Sequence, residues 1–353
     1  MFYREAGQFK TSYRADQAIF PIAQDRVGMA VVLVVAYAMI PLIADEYWLR
    51  SIMVPFLAFS LAALGLNILT GYAGQISMGS SAFMAVGAFA AYNLDIRLGL
   101  PFYLYLPLAG LIAAAVGVVF GLPSLRIKGF YLMVTTLAAH FFIEWLFTRV
   151  PWFTNYSSSG VIDAPTMMLF GRRLESAVDR YYVTLVVVSI LTLAAKNMVR
   201  SSVGRAWMAV RDMDVAAEII GIPILRTKLT AFAVSSFYLG VAGALWAFVY
   251  LGSVEPQAFT LDRAFQILFM IIIGGMGSIL GSFLGAAFIV LLPIALSNIA
   301  PLFGGAIPAN TLANLELIVF GGLIIFFLIV EPHGLARLWQ IAKEKLRLWP
   351  FPY

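Results

Sequence analysis

Apolar runs of membrane-crossing length recur along almost the whole sequence and leave little of it free to fold in any other way. They occupy 27–43, 52–70, 103–122, 129–147, 181–195, 229–251, 265–280, 282–300 and 313–331, with a shorter run at 82–92. A helix needs about 20 residues to cross roughly 30 Å of hydrocarbon, and lipid cannot satisfy unpaired backbone groups, so such runs fold as helices. The chain is 62% hydrophobic and 12% charged, against about half and about a quarter in soluble domains. The expected fold is an all-α polytopic membrane protein: one transmembrane domain over 1–353 with about ten transmembrane or re-entrant helices. The first run begins at Val27, behind a polar tail and without a small-residue cleavage pattern after it. It reads as a first span rather than a removable signal.

Ten crossings place both termini on one side, and the basic residues choose which. With the termini in the cytosol, that side holds 16 of the 23 Lys and Arg residues, and the other keeps Arg50, Arg97, Arg149, Arg172, Arg173, Arg180 and Arg263. That bias follows the positive-inside rule. The tails 1–26 and 332–353 and the segment 196–228 are therefore expected in the cytosol, and the loop 148–180 outside. The loop is basic, but long loops obey the rule weakly, and this one is long enough for a small exterior domain. The same distribution disposes of nucleic acid as a partner, because the positive charge sits in the gaps between spans.

The segment from Lys196 to Lys228 is the one long polar stretch between apolar runs. Val203, Ala206, Trp207, Val210, Ala217 and Ile220 recur at helical spacing while Arg205, Arg211, Asp212, Asp214 and Glu218 avoid that stripe, which predicts one amphipathic helix lying flat on the membrane. Ser202 is placed to cap its start, Gly221 to end it in the left-handed conformation, and Pro223 forbids continuation. A lone helix of this kind in so apolar a chain suggests a docking element for a cytosolic partner.

Two uncharged glycine-rich stretches interrupt the apolar pattern, one at 70–83 and one at 274–285. Irregular backbone at membrane depth is tolerated where it lines a cavity or is buried in protein, and matched interruptions in two halves point to an internal repeat around a central pathway. Gln75, Ser77, Thr135 and Thr136 are the uncharged polar groups expected to line it, joined by His140, which shares a helical face with Glu144. Uncharged donors and acceptors pass a zwitterion without trapping one end of it.

Chemistry of other kinds lacks its residues. Cysteine is absent and histidine occurs twice, at His140 and His333, so thiolate and multi-histidine metal sites are excluded. There is no G-x-x-x-x-G-K-[ST] to cradle ATP phosphates, Gly275, Gly277 and Gly281 have the wrong spacing for a dinucleotide site, and no G-x-S-x-G is present. Neither an enzyme nor a bound cofactor is expected.

Several stretches resemble the permease subunits of bacterial ABC importers for branched-chain amino acids, the LivM type. They are GYAGQISMG at 71–79, LRIKGFYLMVTTLA at 125–138, SSVGRAWMAVRDMDVAAEIIGIPILRTKLTAFAVS at 201–235, GGMGSILGSFLGA at 274–286 and EPHGLARLW at 331–339. The resemblance covers most of the chain. It implies a multi-pass protein of the bacterial inner membrane with both termini cytoplasmic. Its implied partners are a homologous second permease (LivH-like), two cytosolic ABC ATPase subunits that bind the ATP, a periplasmic substrate-binding protein and membrane lipid. Transport by alternating access of branched-chain amino acids or a related small polar solute follows, with Arg211, Asp212, Ala217, Glu218 and Gly221 at the ATPase contact. The chain departs from the family where Gly-His-Ala-Ala-Phe is usual and 79–83 reads Gly-Ser-Ser-Ala-Phe. The alternatives are a secondary transporter, disfavoured by the scarcity of mid-span carboxylates, and a channel, disfavoured by the docking helix.

Overall fold

The structure, a computed structural model, describes residues 11–12, 23–124, 130–157, 159–169, 171–299, 318–319, 321–323, 325–327, 329–331 and 333–348. Among these residues seven helices are long and apolar enough to cross a membrane: Asp25–Ile43 (α1), Trp48–Tyr72 (α2), Phe102–Pro123 (within α4, Phe102–Ser124), Ala177–Arg200 (α6), Ile224–Leu251 (α9), Pro256–Gly274 (its α-helical part α10, Leu261–Gly274) and Ile279–Asn298 (within α11, Ile279–Ile299). Between them lie α3 (Ser80–Leu98) and α5 (Phe130–Arg149), of similar length. The short run at 82–92 thus belongs to a full 19-residue helix, and the run at 265–280 stops as a helix at Gly274. The last expected run, 313–331, falls largely outside the described residues, which are helical at 318–319, 321–323, 325–327 and 329–330.

Three helices form the centre. In α2 almost every residue from Val54 to Tyr72 is buried, α9 is buried over most of its length, and α3 is buried from Ser80 to Phe89. Helices apolar all round belong inside a bundle, and small residues let these approach closely. A side chain added at Gly87 would strike the Gly240 backbone, and one at Gly243 the Met84 backbone. Around the centre pack α4, α6, α10 and α11. By contrast α1 has no buried residue in its spanning stretch. It is tied to α6 by the Tyr181 and Tyr182 hydroxyls, which donate to the Ala36 and Tyr37 carbonyls at 2.8 and 2.9 Å.

The stretch after α6 differs from expectation. In place of one helix there are two, Ser202–Asp212 (α7) and Asp214–Ile219 (α8), broken at Met213, whose φ of −159° and ψ of 94° are extended. Aspartates on both sides of that residue favour local turns over helix interior. Ser201 rather than Ser202 caps α7, its hydroxyl accepting from the Val203 N–H at 3.2 Å. The break also redirects the stripe. Gly204, Trp207, Val210 and Ala217 are buried, whereas Val203 is 43% and Ile220 73% exposed.

The ends of the bundle are distinct. Asp25 and Lys343 lie 3.4 Å apart, which brings the start of α1 beside the helix Gly334–Leu348 (α12). That helix begins against Gly275, at the end where α7 and α8 lie. At the opposite end the 148–180 loop carries β1 (Ile162–Asp163), β2 (Met168–Leu169) and β3 (Arg172–Arg173). β2 pairs with β3, and β1 pairs antiparallel with β4 (Ser253–Val254), beyond α9.

Candidate functional site

The first glycine-rich stretch is a structured break. The end of α2 widens into a π-type turn over Ile68–Tyr72, a distortion frequent at functional sites. The chain then reverses through Gly74, whose φ of +68° suits glycine, and the Gln75 N–H returns to the Leu69 carbonyl at 3.0 Å. The Thr70 hydroxyl donates to the Gln75 carbonyl at 3.2 Å. Beyond it the Met78 N–H donates to Thr136 Oγ1 on α5 at 3.0 Å, and the Gly79 N–H to Ser77 Oγ at 3.2 Å. One turn up α5, His140 Nδ1 lies 3.2 Å from Ser81 Oγ, and its Nε2 lies 3.6 Å from Glu144 Oε2.

Four of the five expected pathway residues therefore gather between the break, α3 and α5. Ser77, Thr136 and His140 are buried with named neighbours. Gln75 is only 3% exposed, and neither Oε1 nor Nε2 of its amide has a partner among the described residues. Thr135 is not brought in: its hydroxyl donates to the Leu132 carbonyl of its own helix at 2.9 Å. Adjacent residues on a helix point about 100° apart, so Thr136 and His140, four apart, share the face that Thr135 leaves.

The second break meets the first. Asn67, fully buried on α2, donates from Nδ2 to the Ser278 carbonyl at 2.8 Å and to Ser282 Oγ at 2.9 Å, and its Oδ1 accepts the Gly277 N–H at 2.8 Å. A side chain at Gly71 would fall on Asn67 Oδ1 and the Gly277 nitrogen. The residue sequence inspection missed is thus Asn67. Its only signal was an amide in an otherwise apolar run, next to the glycine stretch.

The expected coupling residues occupy the same end. Trp207 is buried and its Nε1 donates to Thr230 Oγ1 at 3.1 Å, fastening α7 to the start of α9. Arg211 turns inward: Nη1 donates to the Gly71 carbonyl at 2.7 Å, while Nε meets exposed Asp212 at 2.9 Å. Ala217 is buried, Glu218 exposed, and Gly221 ends α8 at φ +86° with open space where a side chain would stand. Val215, Ile219 and Ile220 are exposed, Ile219 by 81%. Among the described residues no group of three or more His, Asp or Glu is placed to hold a metal ion. The arrangement gathers buried, uncharged hydrogen-bonding groups next to an apolar, partly charged surface.

Comparison with known proteins agrees in kind. Residues 49–328 match the model of a family described as branched-chain amino acid transport system / permease component. The chain is similar to the high-affinity branched-chain amino acid transport system permease protein LivM of Salmonella typhimurium, 29% identical over 300 residues, which is 78% of this chain and 67% of the relative. The LivM protein of Escherichia coli gives the same figures. A probable LivM from Methanocaldococcus jannaschii is 24% identical over 328 residues, 81% of this chain and 92% of that protein.

Proposed function

This chain belongs to the branched-chain amino acid transport system permease family, and from that premise we propose that it is the membrane subunit through which an ABC importer moves branched-chain amino acids, or a closely related small polar solute, inward. The observation that carries the reading is the family match over 49–328 on a chain with seven helices fit to span a membrane. The pathway runs past Gln75, Ser77, Thr136 and His140. A solute amide, ammonium or carboxylate passing the unpartnered Gln75 amide finds both a donor and an acceptor there. No covalent step is involved; access alternates from one side of the membrane to the other.

The driving subunits are separate. Two cytosolic ATPases, a homologous second permease and an exterior binding protein complete the transporter, and the ATPase sits on α7 and α8. The exposed Val215, Ile219 and Ile220, beside exposed Asp212 and Glu218, give that contact an apolar centre and a charged rim, the composition of a protein interface. We further propose ten crossings of the inner membrane with both termini cytoplasmic. The proximity of Asp25 to Lys343 supports termini on one side.

Uptake of labelled leucine tests this in cells stripped of their other leucine importers and supplied with all the subunits. Uptake should vanish when the ATPase gene alone is omitted. Undiminished leucine uptake without the ATPase would overturn the reading.

A further inference from the structure

We propose that Asn67 and Arg211 are positioning residues for transport, which bind the docking segment and the two glycine breaks into one body so that movement of the first is imposed on both breaks together. The proposal rests on the transport reading above and adds the parts that transmit the motion.

Both polar atoms of the Asn67 amide are bonded. Both hydrogens of its Nδ2 have acceptors, the Ser278 carbonyl and Ser282 Oγ, and its Oδ1 takes the Gly277 N–H. A buried amide with every polar atom bonded holds its neighbours in one register, and removing it takes the acceptor from the Gly277 N–H and one of the donors from the Ser278 carbonyl. The two breaks meet backbone to backbone at Gly71, where no side chain fits, and Gly277, whose φ of +77° favours glycine. The guanidinium of Arg211 closes the knot. Its Nη1 holds the Gly71 carbonyl at 2.7 Å and lies 3.4 Å from where a side chain at Gly277 would begin, and its Cγ lies 2.8 Å from the corresponding point at Gly74. A hydrogen bond from a charged donor is shorter and stronger than a neutral one.

From this knot the first break leads through Gln75 and Ser77 to the Met78 N–H bond on Thr136, and the second leads into α11. Displacement of α7 therefore pulls directly on Gly71 at the root of the pathway. Asn67 carries the same displacement to 277–282. Packed elements of this kind shift between discrete arrangements rather than deform smoothly, so a severed link leaves hydrolysis running while less solute moves per ATP.

The test uses the complete transporter, with its ATPases, second permease and binding protein, in proteoliposomes. The variants are Asn67→Leu, Arg211→Met, Arg211→Lys and the double Asn67→Leu/Arg211→Met. For Asn67→Leu, which lies away from the proposed ATPase contact, we expect subunit retention as in wild type and ATP hydrolysis within about twofold of it. Solute moved per ATP should fall about tenfold in Asn67→Leu and Arg211→Met. Arg211→Lys, which still donates to the Gly71 carbonyl, should recover part of the loss, and the double variant should be no worse than either single one because both cut the same link. A parallel fall in hydrolysis and uptake in Asn67→Leu, or a double variant whose losses of solute moved per ATP multiply, would overturn the proposal. An arm that needs no solute is hydrogen exchange at the Gly277 amide in the assembled complex. Arg211→Met, although it removes bonds to Gly71 and Asp212 and none to Gly277, should speed that exchange; an unchanged rate would refute the link whatever is transported. If the wild-type complex moves no leucine while Gly277 still responds, it is the transport reading that fails and not the knot.

Discussion

Within the break, Met78 has its backbone N–H answered by a side chain on another helix, Thr136, and this small fact separates two neighbours that sequence inspection had grouped. Thr136→Val leaves that part-buried N–H unpaired, at a cost of about 1 kcal/mol. Thr135→Val removes only a hydroxyl bonded within its own turn. The first should lower the thermal stability of the purified protein and its uptake, the second neither; equal effects would contradict the assigned faces. Gln75→Leu should lower uptake with membrane abundance unchanged, because among the described residues the amide bonds nothing that its removal would loosen. Normal uptake kinetics in Gln75→Leu would remove it from the pathway. The residue types that carry the site were legible in the sequence, since uncharged polar groups stand out in apolar runs. Their partners were not: Asn67 and Ser278 are separated by 211 positions, and periodicity says nothing of which helix faces which.

The docking segment shows what a hydrophobic stripe can and cannot convey about an element. Its spacing correctly marked Trp207, Val210 and Ala217 as the inward face, and Gly221 as the point where the chain turns. It concealed the break at Met213, because two short helices in succession keep nearly the same period as one long helix. Gly221 lies at φ +86° with nothing near its Cβ position, so Gly221→Val meets no clash and carries only the backbone penalty of about 1 kcal/mol or more. That should distort the short link to α9 alone. Glu218→Lys reverses an exposed charge on the surface proposed to receive the ATPase. Both variants should insert normally yet lose ATP-driven uptake, by losing the ATPase or keeping it uncoupled. Wild-type subunit retention, hydrolysis and transport in both would remove the docking role from this element.

Across the whole molecule, the sequence announced a helical membrane protein with two interruptions, and the structure places those interruptions against each other through Gly71, Asn67 and Gly277. That they would touch was beyond the sequence, because contact depends on how α2 packs against the α10–α11 turn. The proposed orientation rests on 16 of 23 basic residues and is open to single-cysteine labelling, since the chain has no cysteine of its own. An impermeant thiol reagent added to intact cells should reach Ser158→Cys and spare Asp16→Cys, Ser202→Cys and Lys343→Cys; Asp16 and Ser158 lie outside the described residues. Labelling of Ser202→Cys from outside would invert the topology. The most direct test of a permease powered by separate ATPases is leucine accumulation in proteoliposomes holding the complete complex, with binding protein on the solute side and ATP on the ATPase side. Leucine should concentrate inside against its gradient with intact ATPases and stay at or below equilibrium when their P-loop lysine is replaced. Equal accumulation with the disabled ATPases would contradict the account.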